Sequence, residues 1–185
     1  RVACGVSMRI RAVSSVISLA DGFDIGVING AVVLFREELQ LTSWQVAWTL
    51  SIFPFAATLA APAAGSVADA VGRKPALMLS VALLVVGGLL MATASGFWHM
   101  FLGRLTAGSG MGCGLTAVAV YMSEVAPVDQ RGFYSSLEEL FVNVGLVLSF
   151  AANVLLLGLP HDWRLMMGSG IIPAGVAFVA LAVPQ

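Results

Sequence analysis

The stretch ADGFDIGVING, residues 20–30, sets Asp21 and Asp24 three positions apart in otherwise apolar sequence. A carboxylate there can do what its neighbours cannot: take up and release a proton. The one base in comparably apolar sequence is Arg104, in FLGRLTAGSG. A guanidinium does not surrender its proton, so in any Asp–Arg couple the acid is the titrating member. Such an acid ionises beside the guanidinium and is neutralised when the pair separates or its surroundings dry. Further along, SSLEELFVNVGLVLSFAAN (residues 135–153) carries a second set of polar groups. Counting 100° per helical residue, Ser135, Ser136, Asn143 and Asn153 all fall within about 60° of Glu139. Five polar groups on one helical stripe suit a polar ligand; the alternative is hydrogen bonding between helices with no ligand. Glu138 stands about 100° from Glu139 and outside the stripe.

The elements that must position these residues follow from composition. The chain has 185 residues, 59% of them hydrophobic and 10% charged, with a mean hydropathy of +0.96. A soluble domain carries about 25% charged residues, so the solvent expected here is lipid. A helix needs about 20 mostly apolar residues to cross roughly 30 Å of hydrocarbon. Six such segments are predicted near residues 12–35, 44–68, 75–95, 97–122, 133–159 and 164–185, preceded by a cytoplasmic segment at 1–11. The connections are short, which makes consecutive helices antiparallel neighbours in a compact bundle. Pro54, Pro62 and Pro173 fall inside spans, where they are tolerated and often mark a bend around a cavity. The chain begins at Arg1 and ends in ALAVPQ as the sixth span finishes, so it is expected to be a fragment.

Lys and Arg concentrate on the cytoplasmic side of membrane proteins. With the N-terminus inside, the inner segments hold Arg1, Arg9, Arg11, Arg73, Lys74 and Arg131, against Arg36 and Arg164 outside. Trp44, Trp48, Trp98 and Trp163 then all fall at outer ends of spans, where amphipathic rings prefer to sit.

Within the first span Gly22, Gly26 and Gly30 repeat every four residues, a small-residue stripe that lets two helices approach closely. Asp21 and Asp24 lie about 60° apart on the opposite face. A charge facing lipid costs at least about 2.5–3.5 kcal/mol, so the acids are expected to face a water-filled interior; a structural ion pair without a transport role is the alternative. Arg104 lies about 10 Å below the outer end of its span and Asp24 about 17 Å below that of its own, a gap that a long side chain and some tilt could close.

Other chemistries find no support. GSGMGCG resembles a nucleotide loop only superficially, because no strand precedes it; Gly108, Gly110, Gly112 and Gly114 suit close helix packing instead. Cys4 and Cys113 make no disulfide framework, and Cys113 reads as a small apolar filler. His99 and His161 have no second ligand at metal spacing, no basic run suggests nucleic acid, and no nucleophile–base pair suggests an enzyme.

Taken in order, the motifs resemble the N-terminal half of a sugar porter of the major facilitator superfamily. GFDIGVING is similar to the first-helix signature, GSVADAVGRK to the loop between helices two and three, and GRLTAGSGMGCG to the fourth-helix motif. YMSEVAPVDQRG is similar to the segment joining helices four and five, and WRLMMGSGIIP fits the sixth helix. The resemblance implies an all-α membrane protein: a six-helix bundle, itself a 3+3 repeat, forming one half of a twelve-helix carrier that binds its solute between the halves. It further implies that Asp24 couples a proton and Arg104 pairs with it, since facilitative members generally lack that acid. On the inner face, Gly65, Asp69, Gly72, Arg73, Glu124 and Arg131 match a charged latch that holds the outward-open state.

Most hexose carriers place glutamine where this chain has Glu139. The plant and algal polyol and cyclitol proton symporters resemble it more closely, with glutamate there and an asparagine matching Asn143. A carboxylate accepts hydrogen bonds only, which suits a ligand rich in hydroxyls, so Glu139 and Asn143 are expected to contact the solute. Asp21 occupies a usually apolar position bordering the substrate and is a candidate specificity residue. The expected function is proton-coupled transport of a polyol or monosaccharide by alternating access, with no cofactor beyond the proton, across the plasma membrane in preference to an organelle membrane. The expected partners are the solute, the bilayer and a C-terminal six-helix half. The rival expectations are a facilitative hexose uniporter and a non-transporting sensor or truncated form.

Overall fold

A computed structural model describes residues 2–125 and 130–182, with side chains described from residue 13 onward except at 121, 123–125 and 131. Among the described residues seven helices follow one another: α1 (Val2–Glu38), α2 (Ser43–Val71), α3 (Arg73–Ala92), α4 (Phe97–Val125), α5 (Arg131–Leu156), α6 (Asp162–Ser169) and α7 (Ile171–Ala182). The sixth expected span is thus two helices broken at Gly170. Pro173 supplies the reason: it has no N–H for the carbonyl of Ser169, and its ring crowds that carbonyl. Among the described residues five segments are long and apolar enough to cross a membrane, α6 and α7 counting together as one. The fourth expected span, near 97–122, corresponds to α4, which is 29 residues long and whose last turn falls partly outside the described side chains.

Local signals set the helix ends. Thr42 opens α2 with a capping box, its hydroxyl accepting from the Gln45 N–H while the Gln45 side chain accepts from the Thr42 N–H, which satisfies two otherwise orphaned donors. Gly72 turns the chain from α2 into α3 at φ 101°, a conformation open in practice to glycine alone.

Glycines decide which helices meet. A Cβ on Gly22 would sit 1.9 Å from the carbonyl oxygen of Val142, and one on Gly26 1.9 Å from Ser149 Oγ. A Cβ on Gly30 would meet the Asn153 side chain at 2.4 Å. The ascending register shows α1 and α5 running parallel, as close as backbones can come. In α4 the glycines alternate in purpose: Gly108 and Gly112 abut Phe53 and Ala57 of α2, while Gly110 abuts Ser80 of α3.

The pairings carry an internal symmetry. Helix α1 packs parallel to α5 and antiparallel to α6 and α7; α4 packs parallel to α2 and antiparallel to α3. Exchanging α1–α3 for α4–α7 reproduces the contact pattern, which is a 3+3 repeat. The two equivalent helices α1 and α4 meet near the middle of the bundle.

Trp44 and Trp98, each 71% exposed, project outward as membrane-interface rings would. Trp163 does not. It is 1% exposed, set edge-on to Phe35, and its indole N–H donates to Glu38 at 2.6 Å. Glu38 also pairs with Arg164 at 3.3 Å. Trp163 is therefore the plug that fastens α6 to the end of α1, because the ring fits an apolar slot and its polar tip finds an acceptor there. Glu38→Ala leaves that N–H unpaired, at an expected cost of about 1–3 kcal/mol. The loss should appear as a lowered unfolding temperature of the purified protein, while Glu38→Gln, which retains an acceptor, should recover most of it.

Candidate functional site

Asp24 and Arg104 come together where α1 and α4 cross. Arg104 Nη1 lies 3.6 Å from Asp24 Oδ2, and the two residues are 6% and 3% exposed. At that distance the contact is a charge pair and not a hydrogen bond. Asp24 Oδ2 and Arg104 Nε and Nη1 make no hydrogen bond among the described residues. The guanidinium has a second support, since its carbon stands 4.0 Å over the centroid of the Phe53 ring of α2. A cation on an aromatic face in a dry site gains about 2 kcal/mol or more. Arg104 is thereby held by two contacts, the Phe53 ring and the Asp24 carboxylate. The far side of Asp24 meets the α6–α7 break: a Cβ on Gly170 would lie 3.5 Å from Asp24 Oδ1.

This pairing matches the sequence expectation, but the surroundings do not. The acids do not face a water-filled space; Asp21 and Asp24 are both enclosed by protein. Asp21, 1% exposed, points between α3 and α4: a Cβ on Gly114 would sit 3.5 Å from its Oδ2 and 3.4 Å from Ser80 Oγ. It does not share a surface with Glu139 and Asn143. The glycine stripe explains why, since packing those glycines against α5 turns the opposite face of α1 into the bundle.

On α5, Glu139 and Asn143 are exposed on the face turned away from the bundle, with Ser135 and Ser136. Asn143 donates to the carbonyl of Glu139 at 2.8 Å. Asn153 is not part of this surface. It is buried and donates to the carbonyls of Val27, at 3.2 Å, and Gly26, at 3.5 Å, an interhelical bond where Gly30 leaves room. The expected five-residue stripe is therefore four exposed residues and one packing residue. Glu138 is half-buried, with an unpartnered Oε1.

Where α2 turns into α3, Asp69 and Arg73 pair across the Gly72 turn, and Gly65 has open space beside it. The side chains of Glu124 and Arg131 lie outside the described residues. Cys113 borders an apolar cavity of about 220 Å³ with Ala60, Ala64 and Val67, consistent with a filler role.

Sequence reasoning missed Phe53, Ser80, Gly170 and the Glu38–Trp163 contact. None carries a local signal, because each matters through a helix distant in sequence. Asn29, exposed on α1 and donating to the Ile25 carbonyl at 3.5 Å, was legible as a polar group in a span.

Comparison with known proteins sets these residues in context. The family described as "Sugar (and other) transporter" matches residues 10–184. The chain is 33% identical over 175 residues to polyol transporter 5 of Arabidopsis thaliana, covering 93% of this chain and 32% of that protein. It is 35% identical over 165 residues to a D-xylose transporter of Levilactobacillus brevis, covering 89% of this chain and 36% of that one. The fold superposes on the inward-open xylose transporter of E. coli with a TM-score of 0.85 at 20% identity, over 97% of this chain and 48% of the other. A proton:xylose symporter bound to 6-bromo-6-deoxy-D-glucose gives a TM-score of 0.88 at 20% identity, over 97% and 45%. The bundle is thus one half of a major facilitator fold, and the chain spans about a third of the length of the curated relatives it matches.

Proposed function

This chain belongs to the sugar transporter family, and on that premise we propose that it forms the N-terminal half of a proton-coupled carrier for a polyol or monosaccharide. The observation that carries the reading is the dry Asp24–Arg104 pair, 3.6 Å apart, with Arg104 seated on Phe53. In one state Asp24 is ionised and paired; in the other it holds the proton and Arg104 leans on the ring. Coupling follows if the two states favour different arrangements of the halves, since a ligand shifts an equilibrium only by its differential affinity for the states. The break at Gly170 beside Asp24 gives the pair a mechanical neighbour in α6 and α7.

The exposed face of α5 would meet the solute, with Glu139 accepting hydroxyl hydrogens and Asn143 offering an amide. The second half of the carrier would close that face. The Asp69–Arg73 pair, with Gly65, Gly72, Glu124 and Arg131, would form the inner latch that must part for inward opening. The same reading places the N-terminus in the cytoplasm and the protein in the plasma membrane. Support for the solute class comes from relatives named as polyol and D-xylose transporters.

The test is radiolabelled uptake of a polyol and hexose panel by the full-length protein, at acidic and neutral pH, with and without an uncoupler. Accumulation that collapses with the uncoupler supports the proposal. Uptake that ignores both pH and uncoupler favours a facilitative uniporter, a reading that similarity to a facilitated glucose transporter of Xenopus tropicalis keeps in view. Glu139→Gln should alter the panel's rank order. Bonds to a charged acceptor exceed neutral ones by about 1 kcal/mol, so relative uptake of the best polyol against the best hexose should shift about fivefold. An unchanged profile removes Glu139 from the site.

A further inference from the structure

Asp21 is a carboxylate the coupling reading does not use. It is 1% exposed, and neither of its oxygens has a hydrogen-bond partner among the described residues. It belongs to a buried polar column on α1. Ser14, Ser18 and Asp21 follow at intervals of four and three residues, all buried, and Ser14 Oγ is likewise unpartnered. Asp24 continues the column, which spans about 15 Å by helix rise. Gly114 keeps space open between Asp21 Oδ2 and Ser80 Oγ.

The charges around the column can be counted element by element. Asp24 is the nearest ionisable neighbour of Asp21 along α1, and Arg104 of α4 pairs with Asp24 at 3.6 Å. Helix α3 offers Ser80 and has its charges only at the inner end, in Arg73 and Lys74; α2 has Asp69, also at its inner end; α7 has no ionisable residue. Asp162 and Arg164 of α6 belong to the outer end, with Glu38. Helix α5 contributes Glu138, half-buried one turn before Val142, and the exposed Glu139. Three positions apart on α1, two buried carboxylates have one buried guanidinium between them, and its 3.6 Å contact is with Asp24. An unpaired buried charge is strongly unfavourable, and one proton shared by the two acids makes the trio neutral.

We propose that Asp21 is a second seat for the transported proton, in series with Asp24, on a path that Ser18 and Ser14 continue toward the N-terminal end of α1. The proton leaves the Asp24 carboxyl as that group pairs with Arg104 and bonds to the Asp21 carboxylate. No electrons move between residues, and the three side chains stay neutral overall before and after. Without Asp21, protonating Asp24 would leave Arg104 as a lone buried cation. The direction of flow rests on the proton-coupled reading above; proton binding at Asp21 does not.

The test is infrared difference spectroscopy of the purified full-length protein in lipid, taken between acidic and alkaline buffer, with the proton as the only probe. The carboxyl C=O region should show a component that survives in Asp24→Asn and is lost in Asp21→Asn. A spectrum of Asp21→Asn superimposable on that of the unmodified protein overturns the proposal. If Asp21→Asn does not fold, Gly114→Ala reads the same place, because its methyl fits yet fills the space beside Oδ2. A displaced Asp21 component supports the proposal and an undisturbed one overturns it. Asp24→Asn retaining accumulation driven by a pH gradient would remove the coupling reading, while the infrared result on Asp21 would still decide this one.

Discussion

On the proposed proton-coupled reading, Asp24→Asn in the full-length protein should abolish accumulation driven by a pH gradient while solute exchange at equal concentrations continues. Asparagine has the size of the protonated acid and cannot release a proton, so the carrier is locked in the chemistry of one protonation state. Uptake should fall to simple equilibration, and its pH profile should flatten. The fold has a reserve against this change, because Arg104 keeps the Phe53 ring 4.0 Å away. Removing one member of a buried pair still costs about 3–5 kcal/mol where nothing compensates. Asp24→Glu, which keeps the charge, separates the two effects: a folded but uncoupled Asn variant beside a partly coupled Glu variant assigns the loss to proton chemistry. Undiminished accumulation by Asp24→Asn, with the protein folded, would remove Asp24 from the coupling site.

Gly22→Leu should be the most damaging single change to the bundle. Even the first atom of a side chain at residue 22 would lie 1.9 Å from the carbonyl oxygen of Val142, with the Val142 carbonyl carbon at 2.7 Å. The obstacle is the backbone of α5, which cannot rotate away as a side chain would. Overpacking a core typically costs about 1–3 kcal/mol; here α1 and α5 must separate along their length, which also disturbs the Asn153 bonds to Gly26 and Val27. Folded, monodisperse protein should be lost on size exclusion. Gly96→Ala is the matched control, since nothing lies within 4 Å of its added methyl and the protein should elute unchanged. A well-folded Gly22→Leu variant would mean that α1 and α5 do not meet at this stripe.

Much of the architecture was legible because a membrane imposes it. Long apolar stretches with short polar connections leave little choice but a helical bundle, and the spacing of Gly22, Gly26 and Gly30 announced a close helix contact before its partner was known. The same spacing put Asp21 and Asp24 on the other face of α1, which the structure confirms. Asn153 shows the limit of periodicity. It falls within the angular window of Glu139, yet Gly30 opens a gap opposite it, and an amide able to reach two carbonyls goes there. Trp163 teaches the same lesson where α6 meets the end of α1: a ring expected to sit at the membrane surface is drawn inward by Phe35 and Glu38.

The sequence alone determined the helical class and the existence of a glycine-packed face on α1, and it singled out Asp24 and Arg104 as an acid and a base able to meet, which they do at 3.6 Å. Composition and helical period act within a segment, so they can be read without knowing any neighbour. Only the tertiary structure decided that α5 takes the glycine face, that Phe53 supports Arg104, and that Asp21 turns inward toward Ser80 and Gly114 instead of bordering an open surface. Each of these depends on which helix lies against which, and that choice is made by close approaches between residues far apart in sequence, such as Gly22 and Val142.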